Sequence, residues 1–136
     1  MEEFGKFLGW VTVVCFGLSV LNYVVKKLNF VLRKKLDKEA PVLVMYTKLM
    51  KLIIRYHLYF GIGAGVFALL HLCLQLSAGR ISLTGLIAVT LMILTVLCGI
   101  ILKKTGAVAR KKVLYVHRSL VVMVILVVIV HLIQMG

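Results

Sequence analysis

Two stretches of equal length decide how this chain is read. They are His57–His71, HLYFGIGAGVFALLH, and His117–His131, HRSLVVMVILVVIVH. Each is an apolar run closed at both ends by histidine, and the four end residues are all the histidines the chain has. Fourteen residues of helix turn about 1400°, roughly 40° short of four whole turns. A left-handed supercoil with a seven-residue repeat absorbs that lag. Both rings of a stretch therefore share one helix face, about 21 Å apart along the axis. That is most of the hydrocarbon thickness of a bilayer, about 30 Å.

The rest of the chain agrees with a bilayer as solvent. Of its 136 residues 62% are hydrophobic, with a mean hydropathy of +1.10, against about 45–50% apolar residues in soluble domains. Apolar runs of spanning length fall at about 7–25, 52–76, 82–102 and 113–134. The opening MEEFGKFLGW carries two glutamates and one lysine, not the basic start of a secretory signal. The first run is thus expected to stay as a helix. The expected fold is a single all-α membrane domain over 1–136, an up-down bundle of four transmembrane helices.

The formal charge of +13 would suit nucleic acid if it were spread or striped, but its placement points elsewhere. Of 17 Lys and Arg, nine lie within 26–55 and five within 103–112, with Arg118 just beyond. Lys6 and Arg80 are on the opposite side. The positive-inside rule puts both basic loops in the cytoplasm and both termini outside, as in a bacterial-type cytoplasmic membrane. The charge then serves topology and attraction to anionic headgroups or an acidic partner, and no nucleic-acid partner is expected.

Between the first two spans, the basic connector 26–51 is read as helix continuing past the membrane, broken over Asp37–Pro41. Pro41 suits the first turn of the next helix. Lys48, Lys51 and Arg55 then form one basic face, read as a snorkelling flank. The short joins at SAGRIS and at 103–112 make sequential helices antiparallel, so the two histidine helices are parallel. By depth, His57 should meet His117 near the cytoplasmic side and His71 should meet His131 near the outer side.

Two facing imidazoles restrict the ligand. The pairs are too far apart for one metal ion to gather four rings. A zinc or copper site built on two would need further ligands or open positions. The spans offer no carboxylate, because Glu2, Glu3, Asp37 and Glu39 all lie outside them. Di-iron carboxylate sites and carboxylate proton relays are excluded on the same ground. Cys15, Cys73 and Cys98 lie in different spans without C-x-x-C or C-x-x-C-H spacing, which signals neither a dithiol nor covalent haem attachment. Haem brings four ligands of its own and needs two more. Two bis-histidine haem b groups, stacked across the membrane, fit best, since ionisable residues inside a span are functional by default.

The third span adds Gly85 and Gly99, again fourteen apart, each at the depth of one histidine pair. A mid-helix glycine is about 1 kcal/mol worse than alanine, so clearance for a flat macrocycle is one explanation and close helix packing the other. Gly5 and Ser19 in the first span repeat the spacing more weakly.

These six positions, His57, His71, Gly85, Gly99, His117 and His131, resemble the membrane diheme cytochrome b architecture of respiratory cytochrome b and ferric-reductase-like membrane domains. The resemblance covers about residues 5–135. It implies four helices, two haem b groups, His57 and His117 as axial ligands of the inner iron, and His71 and His131 as those of the outer iron. It carries no substrate, because neither the further helices of respiratory cytochrome b nor a flavin- or nicotinamide-binding domain is read here.

Around the inner level Lys51, Arg55, Lys111, Lys112 and Arg118 are the expected partners of haem propionates, with Arg55 and Arg118 first. Around the outer level they are Gln75, Arg80, Ser82 and Gln134. Carbonyls one turn back, at Ile53, Phe67 and Val113, are expected to orient the rings. Tyr46, Tyr56, Tyr59 and Tyr115 gather near the inner face, read as an interfacial belt or as a seat for a quinone headgroup. The expectation is transmembrane electron transfer as the membrane subunit of a larger redox complex. Its partner would be a flavin or iron–sulfur protein on the cytoplasmic side, or quinone. The alternative is a stand-alone oxidoreductase acting on ferric ion, superoxide or quinol.

Overall fold

A computed structural model describes residues 2–37 and 39–135. It holds four helices, α1 Glu2–Lys35, α2 Pro41–Ser77, α3 Leu83–Lys104 and α4 Ala107–Met135. Among the described residues there is no strand. Each helix is long and apolar enough to cross a membrane. At about 1.5 Å per residue, α3 with 22 residues matches a bilayer core, while α1 with 34 and α2 with 37 outrun it. The surplus of both lies at the same end, so the α1–α2 hairpin projects past the basic ends of the apolar runs.

The stops and starts follow local chemistry. Pro41 opens α2 in its first turn, where a missing N–H goes unmissed. Lys38, within the break read at Asp37–Pro41, lies outside the described residues, as do Met1 and Gly136. Gly79 has φ +68°, and the N–H groups of Ala78, Gly79 and Arg80 close onto the carbonyls of Leu74, Leu76 and Gln75. Only a residue without Cβ takes that left-handed turn cheaply. Three residues on, the Ser82 hydroxyl caps α3 by accepting from the Gly85 N–H at 3.0 Å.

Packing is concentrated within two hairpins, α1 against α2 and α3 against α4, and the hairpins meet mainly along α2 and α3. The core sits where they meet. Ala64 and Val124 are 1% and 0% exposed, and Met92 is 3% exposed. They head a cluster with Ala68 and Val89. Ala64 is midway between His57 and His71, Val124 midway between His117 and His131, and Met92 midway between Gly85 and Gly99. On α1 the matching residue is Thr12, halfway from Gly5 to Ser19. It is also buried, with its hydroxyl donating to the Leu8 carbonyl at 2.9 Å. All four helices thus keep one seven-residue register through the bundle. The midplane layer is apolar apart from that satisfied hydroxyl, and its residues are buried. Most large apolar side chains outside it are exposed, Trp10, Leu86 and Leu126 among them, as suits helices surrounded by lipid.

Candidate functional site: two histidine layers

The same register that buries Ala64, Met92 and Val124 sets a histidine layer seven residues to either side. In the inner layer the His57 and His117 rings stand 6.5 Å apart between centroids and nearly perpendicular, at 87°. In the outer layer His131 lies within electrostatic range of His71. All four rings are half-buried. The depth pairing read from the sequence is the pairing found.

What holds each ring is its own hairpin. His57 Nδ1 donates to the Ser19 carbonyl at 2.9 Å, with the Ser19 hydroxyl at 3.1 Å. His71 Nδ1 donates to the Gly5 carbonyl at 2.8 Å, and His117 Nδ1 to the Thr95 carbonyl at 3.1 Å. A carbonyl can only accept, so in these three rings Nδ1 carries the proton and Nε2 keeps its lone pair. His131 reaches the same state through hydroxyls. Its Nδ1 lies 3.2 Å from both Ser82 Oγ and Thr84 Oγ1. The Thr84 proton is already committed to Gln134 Oε1 at 2.8 Å, leaving Thr84 to accept. Four imidazoles are therefore presented in the tautomer that ligates through Nε2, each with its other nitrogen oriented by a neighbouring group.

The orienting groups differ from the carbonyls at Ile53, Phe67 and Val113 expected from the sequence. Inside a helix, a carbonyl one turn back already accepts from its own ladder. The ring leans across to the adjacent helix instead, to α1 from α2 and to α3 from α4. The weak echo at Gly5 and Ser19 proves to be this support, one residue under each α2 ring.

The glycines also serve the rings directly. A Cβ at Gly99 would stand 3.3 Å from His117 Cε1, and one at Gly85 would stand 3.0 Å from His131 Cε1 and 2.7 Å from Ser82 Oγ. Gly9, which the sequence reading passed over, does the same for His71, at 3.3 Å from its Cε1. The missing side chains at Gly85 and Gly99 leave room for a histidine edge of the same hairpin.

Of the expected cationic neighbours, the structure brings Arg118 to the inner layer and leaves Arg55 away from it. Arg55 is exposed and, two residues before His57, lies about 200° round the helix from it. Arg118 reaches α1, with its guanidinium 5.3 Å from the Tyr23 ring centroid. At the His71–His131 layer, Gln134 takes part through Thr84, and Gln75 lies beside Gly5, where a Cβ would meet its amide nitrogen at 3.4 Å. The Tyr56 and Tyr59 rings lie 6.1 Å apart and tilted by 51° on an exposed face of α2, as in an interfacial belt. Tyr46 donates to the Val25 carbonyl at 2.9 Å and ties the base of the projecting hairpin together.

Two imidazoles sharing one metal ion, about 2 Å from each nitrogen, place their ring centres roughly 6 Å apart. The inner pair stands at that separation. In each layer the two rings come from different hairpins, and the buried midplane residues separate one level from the other. The residues fit a flat cofactor that needs two axial ligands. No known protein family, curated protein or solved structure matches this chain.

Proposed function

We propose that this integral membrane protein carries electrons across the bilayer through two bis-histidine haem b groups, as the membrane subunit of a larger redox complex. His57 and His117 would hold the inner iron, and His71 and His131 the outer iron. The observation that carries the reading is the set of Nδ1 anchors, which leaves Nε2 as the unprotonated nitrogen in all four rings, with the inner two rings 6.5 Å apart. When bound, haem supplies a one-electron iron couple at each level.

The chain's own residues do the rest. The Gly5, Ser19 and Thr95 carbonyls and the Ser82 and Thr84 hydroxyls fix tautomer and ring direction and raise the basicity of the ligating nitrogens. Gly9, Gly85 and Gly99 let each ring lie against its neighbouring helix. The layer of Thr12, Ala64, Met92 and Val124 excludes water between the levels. The basic inner side, with the projecting hairpin, is where a cytoplasmic redox partner would dock, and an electron moved over the full membrane works with or against about 2.3 kcal/mol per 100 mV. Both termini would lie outside, and a quinone remains the small-molecule donor this reading would use.

The test is transmembrane. Purified protein in sealed vesicles loaded with ferricyanide should pass electrons from dithionite added outside, and vesicles without protein or with His71→Ala should not. Equal rates in all three would sink the proposal.

The outer level also permits a side-chain test of ring orientation, since its anchors are hydroxyls. Ser82→Ala with Thr84→Val should weaken haem binding at that level about 10- to 100-fold, read by haem titration of the apoprotein, with the inner level unchanged.

A further inference from the structure

The chain has two asparagines, Asn22 and Asn29. Both are on α1, seven residues apart, and each has a buried amide oxygen with no hydrogen-bond partner among the described residues. They continue a row that begins with Leu8 and Cys15 at the same seven-residue interval. The row turns from apolar to polar where α1 passes the inner histidine layer. Asn29 is 9% exposed, and Val25 and Leu43 are buried with it in the α1–α2 hairpin.

A buried amide oxygen left dry is costly, and native proteins satisfy nearly all such groups. Two further oxygens lie along the same interface. Ser19 Oγ is 3.1 Å from His57 Nδ1, whose own proton goes to the Ser19 carbonyl at 2.9 Å, so the hydroxyl proton has no acceptor there. Tyr46 Oη donates to the Val25 carbonyl at 2.9 Å and keeps its lone pairs. Along α1 the order is Ser19, Asn22, Tyr46 at the level of Val25, and Asn29. Neighbouring levels are three or four residues apart, a rise of about 4.5–6 Å. One water joining two oxygens spans about 5.5 Å. Water donates and accepts, so it satisfies an amide oxygen and a hydroxyl proton at once. A metal cation in that place would be repelled by Lys26, Lys27 and Arg33 of the same helix segment.

We infer that the interior of the α1–α2 hairpin holds a file of ordered water, running from Asn29 past Tyr46 and Asn22 to the Ser19 hydroxyl. The file ties the His57 anchor to solvent on the basic side. It stops at Ser19, because the next hydroxyl of α1 toward the midplane, Thr12, already gives its proton to the Leu8 carbonyl. His117, at the same depth as His57, has no such row behind it. Its Nδ1 donates to the Thr95 carbonyl, and the Thr95 hydroxyl donates to the Leu91 carbonyl at 2.7 Å. One ring of the inner pair is therefore backed by water and the other is dry. That gives the inner layer a one-sided route for exchanging protons with the basic side. The inference does not need haem, and it stands or falls apart from that reading.

Water-to-protein polarisation transfer in solid-state NMR tests it on the full chain in phospholipid bilayers. Labelling with 15N-asparagine and 15N-histidine reads each group separately. Both asparagine side chains and the His57 ring should receive water magnetisation severalfold faster than the His117 ring. Asn22→Leu should bring His57 down to the His117 rate and leave Asn29 unchanged. Equal rates at His57 and His117 in the wild type would overturn the file, and that comparison needs no substitution. Fast transfer to Asn29 with none to Asn22 and His57 would also overturn it, by confining water to the end of the hairpin. So would an Asn22→Leu protein in which His57 keeps its wild-type rate.

Discussion

If each histidine layer holds one haem, as proposed, His57→Ala is expected to leave one haem per chain in place of two. His117→Ala should lose the same haem, and the double variant should lose no more than either single one, because partners in one site act as a unit. His71→Ala and His131→Ala should together remove the other haem. Pyridine haemochrome against protein concentration gives the count, and circular dichroism shows whether the helices persist. They should, since the contacts that close the bundle run through Ala64, Met92 and Val124, in the layer between the two histidine levels. A variant lacking His57 that retained two low-spin haems would show that the inner layer is not a ligand pair.

Three glycine-to-alanine substitutions should separate by what each new methyl meets. Gly85→Ala places Cβ against Ser82 Oγ and His131 Cε1, at 2.7 and 3.0 Å. Neither neighbour is free to move, because the same Ser82 oxygen caps α3 and sits beside His131 Nδ1. Gly99→Ala meets only the edge of His117, at 3.3 Å, and needs a shift of a few tenths of an ångström. Gly17→Ala meets nothing within 4 Å. Overpacking of the Gly85 kind costs about 1–3 kcal/mol, roughly five- to 150-fold in affinity, and it should fall on the outer haem. Gly99→Ala should weaken the inner haem by less. Gly17→Ala should keep both haems and gain up to about 1 kcal/mol from helix propensity. Haem titration and thermal unfolding in detergent read all three. Equal behaviour of Gly85→Ala and Gly17→Ala would contradict the role given to Gly85.

The parts of this structure legible in the sequence were those written in side-chain period. Helix number, the start at Pro41, the projecting basic hairpin and the facing of His57 with His117 all follow from apolar length, charge placement and a fourteen-residue repeat. The orienting contacts were hidden because they use backbone oxygen, which every residue has. Nothing in a side chain announces that the Ser19 carbonyl, rather than that of Ile53, will take the His57 proton. A spacing of small residues was the only trace, at Gly5 and Ser19, and close packing accounts for such spacing equally well until the partner ring is placed. Arg55 and Arg118 looked alike because each adjoins a histidine. Helix rotation separates them, sending one residue two places back to the far side and leaving the one directly after within reach of α1. Gly9 falls outside the fourteen-residue repeat altogether, one turn from Gly5, so only the position of the His71 ring identifies it.

The central claim is that the two histidine layers are two haem sites, and a reduced-minus-oxidised visible spectrum of the purified chain, with haem counted against protein, tests it most directly. Two low-spin b-type haems per chain, falling to one on loss of either member of a pair, is the predicted result. A chain that folds into its four helices and takes up no haem, or takes up one that survives both His57→Ala and His131→Ala, would contradict it.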